Sequence, residues 1–204
     1  MARVIGLTGG LASGKSAVAA VLRELGAVVV DADAIVRKLQ QPGTPVYREI
    51  VEAFGPDVVR PDGTLDRAAL ASRIFAAPAA RQRLNAITHP RVREQIRQEV
   101  ADLQARHPAG AVIVLDIPLL LDTAPPDDLP IEGVIVVAID EAAQIARFRA
   151  RTGLTEEEAR RRLRAQRPLR EIVAEADWVI DNSADPEETR RQVEALWRRL
   201  TASA

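Results

Sequence analysis

The run Gly9-Gly10-Leu11-Ala12-Ser13-Gly14-Lys15-Ser16 constrains this chain more than any other feature, because it lies between an apolar segment, Arg3 to Leu7, and a segment of helical period that begins at Lys15. The spacing G-x-x-x-x-G-K-[ST] between a strand and a helix is that of a phosphate-binding loop, or P-loop. Glycines let such a loop wrap so that successive backbone N–H groups face phosphate oxygens, and the helix N-terminus adds partial positive charge. The reading predicts that Gly9, Gly10, Leu11, Ala12, Ser13, Gly14, Lys15, Ser16 and Ala17 cradle the phosphates of ATP, with Lys15 reaching the terminal ones and the Ser16 hydroxyl ligating Mg²⁺. The plainer alternative is a Gly-rich turn carrying a solvated lysine. Composition weighs against it: of the 28 Lys and Arg residues only Lys15 and Lys38 are lysine. A lysine at this one place fits poorly with a drifting surface position. The arginine preference itself fits codon bias or adaptation to heat.

Further along, short β-branched runs alternate with longer helical segments, the pattern of βα units around a buried parallel sheet. Five strands are predicted at Arg3 to Leu7, Ala27 to Val30, Ala111 to Leu115, Gly133 to Ile139 and Asp177 to Ile180. The expected fold is a three-layer α/β/α domain on a five-stranded parallel sheet, with ligands gathered at the carboxyl edge of the strands. The stretch between the second and third strands is far longer than a crossover helix needs. Turn signals at Pro42-Gly43, Gly55-Pro56 and Pro61-Asp62-Gly63 divide it, so a helical insertion is expected over 41–106, with a break near Pro90. A second excursion, 141–175, is crowded with arginine and reads as a lid. The core is then 1–40, 107–140 and 176–204. In the final helix Asp185 is the expected N-cap, Pro186 is N1 and Glu188 is N3.

Hydrophobic residues are 47% and charged residues 28% of the 204, inside the globular norm. No cysteine is present, which excludes disulfides, thiolate metal sites and thiol catalysis. A formal net charge of -1 supplies no global field for nucleic acid. No apolar run approaches the length of a membrane helix, and Met1 to Leu7 carries no signal-peptide pattern. A cytoplasmic protein with neither nucleic-acid nor membrane partners, a monomer or weak homo-oligomer, is expected.

The strand ends supply the next discriminators. A guanine-binding switch needs N-K-x-D or T-K-x-D, and Lys38 is followed by Leu39 and Gln40. Asp31-Ala32-Asp33 closes the second strand, and a period of two sends both carboxylates toward the space in front of the P-loop. Asp33 is favoured as a general base, a role worth on the order of 10²–10⁴-fold in rate, with Asp31 supporting it. Either could instead cap the helix that follows. Asp116 has the form of a Walker B aspartate that holds Mg²⁺ through water, or it bonds loop amides. In the lid, Glu156, Glu157 and Glu158 stand four residues before Arg160, Arg161 and Arg162, which gives weak exposed pairs. Arg147 and Arg151 have no matching acid nearby, and Arg164 and Arg167 are read as similarly free. A mobile lid could present them to charge developing on a transferring phosphoryl group; a solvated helix face is the other reading. His89-Pro90 and His107-Pro108 are expected to end helical segments.

Taken in order, the P-loop, Val29-Val30-Asp31-Ala32-Asp33, Gln41-Pro42-Gly43-Thr44, Ile87-Thr88-His89-Pro90, Asp116-Ile117-Pro118-Leu119-Leu120 and Val179-Ile180-Asp181-Asn182-Ser183 make the chain resemble dephospho-CoA kinases over nearly its whole length. The resemblance implies a P-loop nucleotide-kinase-like fold and transfer of the ATP γ-phosphoryl to the ribose 3′-hydroxyl of dephospho-CoA. It implies Asp33 as base, Thr8 near the acceptor, Lys15 and Ser16 on phosphate and Mg²⁺, and His89 on the acceptor side. Arg147 and Arg151 match lid positions, and Asn182 a place near the adenine. The metal set is then Ser16 and Asp116. Departures from the family pattern are Ala12, where glycine is common and which a small side chain tolerates at negative φ, Leu121-Asp122 in place of Phe-Glu, and Thr152 before Gly153. Two rivals stay open: another small-molecule P-loop kinase, acting on a nucleoside, a nucleotide or shikimate, and a non-catalytic ATP-binding sensor.

Overall fold

The computed structural model describes residues 2–108, 110–121 and 129–202, the side chains of 75 and 76 excepted. Its contacts divide the chain into two compact units, Met1–Asp31 with Val100–Ala204, and Ala32–Glu99.

The first unit is built on five parallel strands: β1 (Arg3–Gly9), β2 (Val28–Asp31), β3 (Val112–Asp116), β4 (Gly133–Ala138) and β5 (Trp178–Asp181), in the spatial order β2-β3-β1-β4-β5. β1, β3 and β4 are almost wholly buried, as continuous apolar runs covered on both faces should be. On one face α1 (Lys15–Glu24) and α9 (Pro186–Ala202) close a core of Leu7, Val18, Leu22, Val114, Ile135, Val193, Leu196 and Leu200. On the other, Ile172 of α8 (Leu169–Ala174) packs with Leu120, Leu121, Val134 and Val136. Burying each such Leu, Ile or Val contributes roughly 1.5–3 kcal/mol. Asp185 caps α9 as expected, its Oδ1 accepting the Glu187 and Glu188 amides. β1 and β3 each run past their predicted ends, so that Thr8 and Asp116 lie within strands.

The arginine-rich excursion folds as α6 (Glu141–Thr152), α7 (Glu156–Arg164) and α8. Thr155 and Glu158 form a reciprocal capping box at the start of α7. Ile145, Phe148 and Ala159 form a small core that receives Leu11, Ala12, Leu154 and Leu163.

The second unit contains α2 (Ala32–Leu39), α3 (Pro45–Phe54), α4 (Arg67–Ala76) and most of α5 (Pro78–Arg106). Thr44 caps α3 ahead of Pro45, and Asp66 caps α4. Val46, Ile50, Phe54, Val58, Leu65 and Leu70 form its core. Two expectations are corrected here. α5 runs through His89 and Pro90 without a break; proline removes a single i→i−4 hydrogen bond, and the long helix carries that loss. α2 begins at Ala32, so Asp33 stands in the first turn of a helix and the period-two reasoning from the strand does not reach it.

Candidate active site

β1 delivers the chain into the P-loop, and backbone conformation decides which residues the loop accepts. A Cβ on Gly9 would sit 2.9 Å from the Val137 carbonyl oxygen and 2.6 Å from Ser13 Oγ. Gly14, the N-cap of α1, has φ 87, and a Cβ there would overlap Asn182 Nδ2. Ala12 also has positive φ, 55, which corrects the expectation of negative φ and places an L-residue in strained left-handed geometry. Around the loop tip the Ser13 N–H donates to the Gly10 carbonyl, the Gly14 carbonyl accepts from Ala17 and Val18, and Leu11 and the Ser13 carbonyl are bonded by side chains. Among the described residues the N–H groups of Gly14, Lys15 and Ser16 have no partner, and the buried Ser13 hydroxyl has none either. These donors collect where the α1 dipole is positive, the arrangement that binds phosphate.

Lys15 Nζ pairs with Asp116 Oδ1, both side chains being largely buried. Asp116 lies beside Leu7 on one flank and Asp31 on the other, so β1, β2 and β3 bring Lys15, Asp31 and Asp116 to one sheet edge. Asp116 Oδ2 has no hydrogen bond among the described residues. There, no group of three or more His, Cys, Asp or Glu side chains is placed to hold an ion. Ser16 and Asp116 therefore fit a divalent cation that takes most of its remaining ligands from water and phosphate, as Mg²⁺ does.

Thr8 and Asn182 are both buried and bonded within the protein. Thr8 is 1% exposed, and its hydroxyl oxygen accepts the Leu120 N–H at 3.1 Å. Thr8 thereby holds the turn after β3. Asn182 is buried; its Nδ2 donates to the Ser13 carbonyl at 2.7 Å and its Oδ1 accepts the Thr189 hydroxyl at 2.8 Å. Its amide is thus engaged by the P-loop and by α9. Leu119, in the turn after β3, has φ 56 and is exposed.

From α6, Arg147 reaches the loop: its Nη1 lies 3.6 Å from where a Gly14 Cβ would stand, and among the described residues it has no ion pair. Arg151 stacks over the Phe148 ring of its own helix at 5.8 Å and is exposed. Arg167 is not free, as the sequence suggested: it donates to the Leu121 carbonyl at 2.7 Å and pairs with Glu171 and Glu175. Glu175 in turn holds the Arg167 guanidinium above its ordinary range. Beside Gly10 a cavity of about 460 Å³ opens among Gln144, Arg160, Arg164, Gln166 and Arg170. In the second unit Asp33 is exposed, and the His89 imidazole is pushed below its ordinary value, first by desolvation and then by the nearby Arg93.

The family model for dephospho-CoA kinase matches residues 3–188. The chain belongs to that family. A dephospho-CoA kinase from Symbiobacterium thermophilum is 52% identical over 96% of this chain and 80% of its own length. A crystal structure of a Thermus thermophilus protein is 36% identical, covers 98% of each chain and has a TM-score of 0.80. The dephospho-CoA kinase of Campylobacter jejuni, 22% identical over 100% of this chain and 99% of its own, shares the fold with a TM-score of 0.74. Sequence reasoning passed over Gln144, Gln166 and Thr189, whose side chains bond Leu11 and Asn182. The available signal was Gln144 standing three residues before Arg147, on one helix face.

Proposed function

We propose that the chain transfers the terminal phosphoryl group of ATP to the ribose 3′-hydroxyl of dephospho-CoA, releasing ADP and CoA. The observation that carries the reading is the set of unpartnered donors at the start of α1, beside the buried Lys15–Asp116 pair, in a chain matched nearly end to end by dephospho-CoA kinases. Amides of Gly14, Lys15 and Ser16 bind the terminal phosphates, and Lys15 moves its charge from Asp116 onto them. Ser16 and Asp116 hold Mg²⁺, which when bound neutralises phosphate charge and favours departure of ADP. Arg147 stabilises charge that develops as the phosphoryl group transfers. Asp33 accepts the proton of the attacking hydroxyl, Asp31 supports it, and His89 and Arg151 contact the acceptor. Among the described residues no helix is long and apolar enough to cross a membrane, and the enzyme acts in the cytoplasm.

Product analysis tests the reading. ATP and dephospho-CoA yield ADP and CoA in equal amounts; turnover only on a nucleoside, a mononucleotide or shikimate would assign the chain to another small-molecule kinase. Asp33→Asn separates a kinase from an ATP sensor, since the kinase loses most of its turnover while ATP affinity stays near that of the parent.

A further inference from the structure

The tip of the P-loop is bonded to the lid through one residue. Leu11 donates its N–H to Gln166 Oε1 at 3.1 Å and accepts from Gln144 Nε2 at 2.7 Å, so both polar groups of a single peptide residue are held by two lid side chains. The Leu11 side chain packs with Ala12 against the Ile145, Phe148 and Ala159 core. Gln144 stands on α6 one turn before Arg147. Gln166 follows α7 and precedes Arg167, which is tied to the Leu121 carbonyl, Glu171 and Glu175. Each glutamine thus has an anchored element behind it and the loop tip in front.

From this geometry we infer that Gln144 and Gln166 are positioning residues for phosphoryl transfer: they fix the direction of the Leu11 peptide and register α6, with Arg147, against the P-loop. The inference rests on the kinase reading above. The polarity of the two bonds is opposite. Gln166 serves as acceptor, which a carboxylate can replace; Gln144 serves as donor, which a carboxylate turns into an oxygen facing an oxygen. Misplacing a positioned cation costs rate more than nucleotide binding, because its contribution is made in the transition state.

The experiment uses the full-length protein with Gln144→Ala, Gln144→Glu, Gln166→Ala and Gln166→Glu, each checked for an unchanged melting transition. In the coupled assay both alanine variants should lower kcat about tenfold, the scale of one positioning hydrogen bond, with KM for ATP nearly constant. Gln166→Glu should recover most of the rate and Gln144→Glu none. Combining Gln144→Ala with Arg147→Ala should add little to Arg147→Ala alone. Independent of turnover, Leu11 amide exchange should quicken about tenfold in Gln166→Ala and return toward the parent rate in Gln166→Glu. Parent-like kcat and exchange in both alanine variants, a change confined to KM, or equal rescue by both glutamates overturns the inference. Unmodified protein that makes no CoA overturns the acceptor assignment instead, and Leu11 exchange then still decides the clamp.

Discussion

Replacing Asn182 with alanine strips two buried partners at once. The Ser13 carbonyl loses a 2.7 Å bond and the Thr189 hydroxyl a 2.8 Å bond, and Asn182 is only 6% exposed. A buried polar group left unsatisfied costs about 1–3 kcal/mol; with the Ser13 carbonyl orphaned and the Thr189 hydroxyl left only its 3.4 Å bond to the Asp185 carbonyl, the loss should be about 3 kcal/mol. At about 2–4 °C per kcal/mol for a protein of this size, the melting temperature should fall by roughly 6–12 °C. Thr189→Val keeps the volume and orphans only Asn182 Oδ1, so its loss should be about a third as large. Because Asn182 also holds the carbonyl next to Gly14, KM for ATP should rise in Asn182→Ala. Differential scanning calorimetry with parallel ATP titrations checks both effects. A melting temperature within about 2 °C of the parent, or a larger drop in Thr189→Val than in Asn182→Ala, would refute the reasoning that this amide carries the loop.

Lys15→Ala should abolish transfer and also lower the melting temperature, since the buried Asp116 carboxylate loses its cation; turnover at the parent rate would remove the phosphate role. Arg147→Ala should lower kcat more than it raises KM for ATP, and a change in KM alone would mark simple ground-state binding. His89, held below its ordinary value by desolvation and Arg93, should titrate by NMR at lower pH than a free imidazole, and Arg93→Gln should move the midpoint up. Since the unfolded chain takes that proton first as pH falls, His89 contributes stability above the ordinary imidazole value that is lost on acidification toward the folded value. A titration midpoint unmoved by Arg93→Gln would remove Arg93 as a cause.

Elements whose character is local were legible in the sequence. Ile113, Val114 and Leu115 form a continuous apolar run, and the strand they make is buried throughout. Asp185 and Pro186 announce α9, and Thr44 and Pro45 announce α3. Pro90 misled, because a proline is a strong local signal whose cost a long helix absorbs. Asp33 misled differently: Ala32 enters a helix at once, so one residue of boundary error moves a carboxylate from strand to helix geometry. At the site, the P-loop and Asp116 could be read because motif and strand order carry them. Asn182, Thr8, Gln144 and Gln166 could not, since their partners Ser13, Leu120 and Leu11 lie more than a hundred residues away in sequence. Arg167 was misread although Glu171 stands four residues on; its anchor at the Leu121 carbonyl, 46 residues before it, had no local signal.

The most direct test is a crystal structure with Mg²⁺ and a non-hydrolysable ATP analogue. Terminal phosphates within hydrogen-bonding distance of the Gly14, Lys15 and Ser16 amides, with Lys15 Nζ moved from Asp116 onto a phosphate oxygen, are the predicted result. A triphosphate bound elsewhere while Lys15 stays on Asp116 would contradict the account.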